Sequence, residues 1–182
     1  MVSKIIGVDP GLDGAVCVLI DGKVAEVHDI PTFEITVGKS YSHGAASKKR
    51  RKVDVLGLFR IFAAHPDTAF VLIEQVWAMP KQGVMSAFTF GKTAGSIEAC
   101  IGLSTLPMHT VSPLAWKKEL RVTNDKDGAR SRAIELFPEG YEWFSRKKDH
   151  NRAEAALIAH YGRMKYGVDG SKIETMEIEH EQ

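Results

Sequence analysis

The chain has 182 residues, 44% of them hydrophobic and 26% charged, with a formal net charge of +1. This composition is that of an ordinary globular protein of one domain, and it excludes collagen-like, disordered and disulfide-framework architectures. No apolar run approaches the ~18 residues that a membrane-spanning helix needs. The apolar N-terminus is interrupted by Asp9 and Asp13 and carries no leader-cleavage pattern, so the cytoplasm of its cell or host is the expected location. Cys17 and Cys100 lie far apart in apolar surroundings and are expected to be reduced, buried thiols. The charge is unevenly spread. Residues 170–182 hold one Lys and four Glu, a net of −3, which leaves +4 on residues 1–169.

Residues 4–9 read as a buried strand, Pro10 to Gly14 as a turn, and Ala15 to Ile20 as a second strand. Asp21-Gly22 is a tight hairpin signal, and Lys23 to Ile30 alternates as a third strand. Residues 34–52 are polar and basic, with five consecutive cations at Lys48-Lys49-Arg50-Arg51-Lys52, and are expected to form a mobile loop. Val53, Leu56, Phe59 and Ile61 begin a helical period that stops near His65-Pro66. Ala69 to Val76 reads as a buried strand, Val84 to Leu103 as a long helix, and Met108 to Val111 as a further strand. Helices are expected over Pro113–Leu120, Lys126–Phe137 and Asp149–Met164, with Ala153, Ala156, Leu157 and His160 on one stripe of the last. A single body over 1–167 and an acidic, flexible tail over 168–182 complete the organisation. A meander followed by alternating helices and strands implies an α/β fold of ribonuclease H-like topology. Its sheet would be mixed and five-stranded, three strands antiparallel and then parallel ones, with helices on both faces.

Two carboxylates stand where desolvation should be costly. Asp9 ends the first apolar strand, and Glu74 ends the run Phe70-Val71-Leu72-Ile73-Glu74. A third group, Asp149-His150-Asn151-Arg152-Ala153-Glu154, opens an apolar helix. With Asp149 at the cap and Glu154 one turn in, Asp9, Glu74, Asp149 and Glu154 would converge from three distant segments. Converging carboxylates repel and call for a cation. Mg²⁺ suits hard oxygen ligands, and two such ions can activate water and stabilise the leaving oxygen of a phosphodiester. The seven His residues form no HExxH pattern, and with only two Cys there is no CxxC, which argues against zinc.

These segments resemble the RuvC family of Holliday junction resolvases. Ile6-Gly7-Val8-Asp9-Pro10-Gly11-Leu12-Asp13-Gly14-Ala15 is similar to that family's first acidic motif, Ile73-Glu74-Gln75-Val76 to its second, and Asp149 to Ala159 to its C-terminal acidic helix. The DPGLDGA form and the five-residue step from Asp149 to Glu154 are closer to phage-type and chloroplast-type members. In the bacterial branch the last acidic pair is three residues apart, which would put Asn151 opposite Glu154. The fourth ligand therefore lies among Asp149, His150 and Asn151, with the carboxylate of Asp149 favoured.

The resemblance implies a dimeric, Mg²⁺-dependent endonuclease of a bacterial or phage-infected cell, with Mn²⁺ as a substitute and two ions per site. It would nick a four-way DNA junction symmetrically, a two-fold dimer matching a nearly two-fold substrate. Trp77 is similar to a wedge that stacks on junction bases, and Lys81 follows it closely. In Ser112-Pro113-Leu114-Ala115-Trp116-Lys117-Lys118, Lys117 would lie near the scissile phosphate as a catalytic cation, with Lys118 beside it. Lys147, Lys148 and Arg152 would clamp phosphates, and Lys48, Lys49, Arg50 and Arg51 would reach a junction arm; such contacts set affinity rather than sequence preference. The helix over 84–103 offers Gly91, Ala94, Gly95 and Ala99 either to a neighbouring helix or to a dimer partner.

The rival reading is another ribonuclease H-like nuclease acting on RNA, an RNA–DNA hybrid or flap DNA. A sugar kinase or actin-like ATPase would need two such domains, and no P-loop is present.

Overall fold

The computed structural model describes residues 3–37, 48–78, 83–125 and 127–167. A five-stranded sheet is built from β1 (Lys4–Asp9), β2 (Ala15–Ile20), β3 (Lys23–Asp29), β6 (Phe70–Glu74) and β7 (Met108–Val111), in the order β3-β2-β1-β6-β7. β1 to β3 form an antiparallel meander, while β6 runs parallel to β1 and β7 parallel to β6. The Asp21-Gly22 hairpin has both residues at positive φ, 50° and 81°, the turn whose twist matches the strands it joins.

Alternation along each strand divides the core. Ile5, Cys17, Leu19, Phe70 and Leu72 face one side, and Ile6, Val8, Val16, Val18, Val71 and Ile73 face the other. The second side is covered by α1 (Val55–Ala63) and α2 (Val84–Leu103). The first side is covered by α3 (Pro113–Glu119), α4 (Gly128–Leu136), α5 (Tyr141–Phe144) and above all α6 (His150–Tyr166), with 3₁₀ turns at Pro138–Gly140 and Lys147–Asp149. α6 lies directly on β1. A Cβ added at Gly7 would come within 2.2 Å of the Ala155 carbonyl oxygen and 2.5 Å of the Ala159 nitrogen, so only glycine lets the helix approach. Ala153, Ala155, Ala156 and Ala159 keep the facing surface of α6 thin.

The sequence reading differs from the structure in two places. The segment expected as a mobile basic loop over 34–52 contains β4 (Thr32–Val37) and β5 (Lys48–Val53), an antiparallel ribbon separate from the main sheet. Residues 38–47 lie outside the described part. The helix after it begins later than expected: Val53 ends β5, Asp54 caps α1 by accepting from the Gly57 N–H at 3.1 Å, and the buried residues are Leu58 and Phe62. The last long helix starts at His150 with Asp149 at its cap, as expected, and Asp149 also ends a 3₁₀ turn. The expected tail over 168–182 lies outside the described residues. Cys17 and Cys100 are free and buried, and among the described residues no helix is long and apolar enough to cross a membrane.

Candidate active site

The site forms at the carboxyl ends of the parallel strands, where α/β sheets commonly present their ligands. Asp9 and Glu74 occupy it because of strand parity. In β1, Ile5 and Gly7 face α6 and Asp9 is the next residue on that face; in β6, Phe70 and Leu72 do so, followed by Glu74. Val8 pairs with Ile73, so the two carboxylates are one register step further along neighbouring strands. The turn after Asp9 is tight: a Cβ at Gly14 would come within 2.1 Å of the Asp9 carbonyl oxygen.

β7 leads at the same end into α3. Ser112 caps that helix by accepting from the Ala115 N–H at 3.2 Å, and Pro113 takes the first turn. The cap sets the phase at which Trp116 and Lys117 leave the helix. The fully buried Trp116 donates its Nε1–H to Glu74 Oε2 at 2.6 Å. Lys117 Nζ lies 2.8 Å from Oε1 of Glu154, which projects from the first turns of α6. The Lys117 ammonium also stands 5.0 Å from the Trp116 ring centroid.

The electrostatics show that these carboxylates share one neighbourhood. Burial pushes the Asp9 carboxyl well above its usual value, and the charges of Glu154 and Glu74 push it further against the pull of Lys117. Glu74 is raised too, by burial and by Glu154, although the Trp116 hydrogen bond and Lys117 oppose this. Burial alone would lower the Lys117 ammonium, but its hydrogen bond to Glu154 and the charges of Glu154, Glu74 and Asp9 raise it.

Asp149, expected as the fourth carboxylate, is placed elsewhere. It is 1% exposed and receives the Arg146 guanidinium at 2.8 and 3.0 Å and the Arg146 backbone N–H at 2.9 Å, with Arg152 at 3.9 Å. Burial would raise its carboxyl, but these donors outweigh burial and hold it below the ordinary range. Asp149 is thus a structural anion at the helix entrance, and it is not among the charges that bear on Asp9 or Glu74. Asn151 instead reaches the site. It lines the same cleft of about 590 Å³ as Asp9 and Glu74, and its Nδ2 donates to the Asp13 carbonyl at 2.5 Å. A second cleft of about 650 Å³ is lined by Lys117 and Glu154 with Asn124, Lys147 and His150.

The other expected contacts divide. Trp77 is 50% exposed, and Lys49, Arg50, Lys118, Lys147 and Lys148 are exposed. Arg152 is not a free clamp: its Nε and Nη2 each lie 2.6 Å from the two carboxylate oxygens of Asp29. Arg51 pairs with Asp13 at 2.6 Å and also donates to the Leu12 carbonyl, so it ties β5 to the turn beside Asp9. Lys49 pairs with Glu34 at 2.8 Å across the ribbon. Lys81 and the side chain of Lys48 lie outside the described residues. Trp116 went unassigned in the sequence; its signal was a large aromatic beside Lys117, which by itself reads as core.

As for a divalent cation, the donors are hard oxygens, gathered where burial and then neighbouring carboxylates raise the Asp9 and Glu74 carboxyls. The residues therefore fit such an ion by chemistry. Among the described residues, no group of three His, Cys, Asp or Glu forms a ready-made metal cage. Lys117 instead supplies a cation that bears on Glu154, Glu74 and Asp9.

No protein-family model matches the chain, and no curated protein matches it. Solved structures do. The structure of T. thermophilus RuvC in complex with a Holliday junction substrate is 14% identical, with a TM-score of 0.53 over 87% of this chain and 91% of that one. A second Thermus thermophilus RuvC structure is 15% identical, with a TM-score of 0.50 over 90% of this chain and 96% of that one. The chain therefore has the α/β, ribonuclease H-like fold of these RuvC structures, with the mixed five-stranded sheet and helices on both faces.

Proposed function

We propose that residues 1–167 form one ribonuclease H-like nuclease domain that resolves four-way DNA junctions by paired, metal-dependent nicking, as a phage-type or chloroplast-type RuvC relative. The observation that carries this reading is the meeting of Asp9, Glu74 and Glu154 at the carboxyl ends of β1 and β6 and the start of α6. The likeness in fold to RuvC held on a Holliday junction supports it.

Mg²⁺, with Mn²⁺ as a substitute and two ions per site, is the proposed cofactor, held by Asp9, Glu74 and Glu154. Asn151 replaces Asp149 in this set, because its Nδ2 is engaged with Asp13 and its amide oxygen remains as a neutral donor. The ions would supply an activated water and charge neutralisation at the leaving oxygen of a phosphodiester. Lys117, paired with Glu154 at 2.8 Å, would balance charge on the phosphate. Trp77 would stack on an unpaired junction base, and Lys118, Lys147, Lys148 and Arg50 would hold phosphates of the arms. A homodimer is supported by α2, where Met85 and Phe88 are exposed and a Cβ at Gly91 or Gly95 would meet nothing within 4 Å.

The test is to incubate the purified protein with a labelled four-way junction, a linear duplex and an RNA–DNA hybrid, with and without Mg²⁺, and to map the nicks. Symmetric paired nicks near the crossover, seen only with the ion, are expected. Cleavage of the hybrid alone would move the activity to another ribonuclease H-like class.

A further inference from the structure

We infer that Trp116 is a positioning residue of the active site, its indole N–H holding Glu74 in one orientation with Oε1 left open toward the incoming ligand. This rests on the nuclease reading of the site, while the contact itself can be tested without it.

Trp116 is 0% exposed, and its ring belongs to the core between α3, α6 and the sheet. A buried indole has a single donor and no acceptor, and an unmatched one would be costly. Its partner is not a backbone carbonyl but Oε2 of Glu74, at 2.6 Å, a short distance suited to a charge-assisted bond. Among the described residues this is the one hydrogen bond to the Glu74 carboxylate. The bond therefore engages Oε2, restricts rotation of the group and leaves Oε1 without a hydrogen bond from the described residues.

The geometry is set by local rules. Ser112 and Pro113 start α3 at a defined residue, and consecutive helical positions diverge by about 100°. Trp116 and Lys117 therefore separate, one onto Glu74 of β6 and the other onto Glu154 of α6. A single turn of α3 reaches both carboxylates from one rigid base. The indole is fully buried in the core, with the Lys117 ammonium 5.0 Å from its ring centroid, so it has little freedom to follow Glu74; Glu74 must follow it. Such support distinguishes a preorganised ligand from one that must be ordered when the substrate or ion arrives.

The chain has three Trp residues, so an amide-correlation NMR spectrum holds three indole N–H resonances. Trp116→Phe assigns the resonance of interest by its loss. With that assignment, Glu74→Gln is expected to move the Trp116 indole resonance while those of Trp77 and Trp143 stay, and titration with MgCl₂ is expected to move the same resonance in the wild type. In junction cleavage, Trp116→Phe keeps an aromatic ring in the core, at some loss of volume, and removes the donor. Its kcat is expected to fall roughly 10- to 100-fold, and the Mg²⁺ concentration for half-maximal rate to rise, with KM for the junction little changed. An indole resonance indifferent to Glu74→Gln, or a folded Trp116→Phe enzyme with wild-type kcat and Mg²⁺ requirement, would overturn the assignment. If Trp116→Phe fails to fold, a Trp77→Phe, Trp143→Phe double variant leaves a single indole signal on which the Glu74→Gln comparison still decides. If the wild-type protein cuts no junction, the nuclease reading fails while the two NMR comparisons still decide the contact.

Discussion

Lys117 Nζ rests 2.8 Å from Glu154 Oε1, and its charge extends to Glu74 and Asp9. An ammonium thus stands among three carboxylates that the sequence scatters over 145 positions, from Asp9 to Glu154. Without it, three anions would face one another in a partly dehydrated cleft.

This arrangement has a pH signature. The Asp9 carboxyl titrates well above its ordinary value of 3.8 in the folded chain, for reasons of burial and then of Glu154 and Glu74. The folded state therefore holds a proton that the unfolded state releases. Its contribution to stability is full below the unfolded value and is lost as pH rises through the folded one. In EDTA, stability should fall as pH is raised through that window. Asp9→Asn should flatten the slope and leave the metal-free protein more stable than wild type at neutral pH. Urea melts at a series of pH values check this, and a slope unchanged by Asp9→Asn would contradict it.

Asp9→Asn, Glu74→Gln and Glu154→Gln should each reduce junction cleavage by at least about 100-fold. Binding should be retained or tightened, since each removes a negative charge beside phosphate. Paired nicking and gel-shift assays on the same preparations give both numbers. A variant with full activity would remove its residue from the reacting centre.

Asp149 should behave in the opposite manner. Asp149→Asn loses charge-assisted bonds to Arg146 at a buried position and should cost about 1–3 kcal/mol of stability. Because its folded carboxyl is held low, the contribution is present above the unfolded value and disappears as pH falls through the folded one. Cleavage by the folded variant should stay within about threefold of wild type. Loss of activity on the scale of Glu154→Gln, with stability intact, would restore it as a ligand.

Trp77→Ala should weaken junction cleavage more than folding. The side chain is half exposed, so its removal disturbs little core, whereas a base stacked on it is worth about 1–3 kcal/mol. Melting temperature and cleavage rate on a four-way junction, compared with a linear duplex, separate the two effects.

The sequence by itself pointed to the strands of the main sheet and to the carboxylates of Asp9, Glu74 and Glu154. A short apolar run makes a strand buried on both faces legible, and an acid at its end stands out because desolvation penalises it, as at Asp9 and Glu74. The ribbon of β4 and β5 was hidden for the opposite reason. Its five cations read as a solvated loop, yet alternation sends Arg50 and Lys52 beside Ile35 and Phe33 on one face and Lys49 and Arg51 to the other. Tertiary structure alone decided the helix entrance. Residues three apart share a helix face, but where α6 begins depends on the 3₁₀ turn before it, on Arg146 capturing Asp149, and on Gly7 admitting the helix to β1. That phase brings Asn151 to the cleft beside the expected Glu154 and withholds Asp149. Trp116 became a functional candidate for the same physical reason: a buried N–H must find an acceptor, and only the packed chain shows that the acceptor is Glu74.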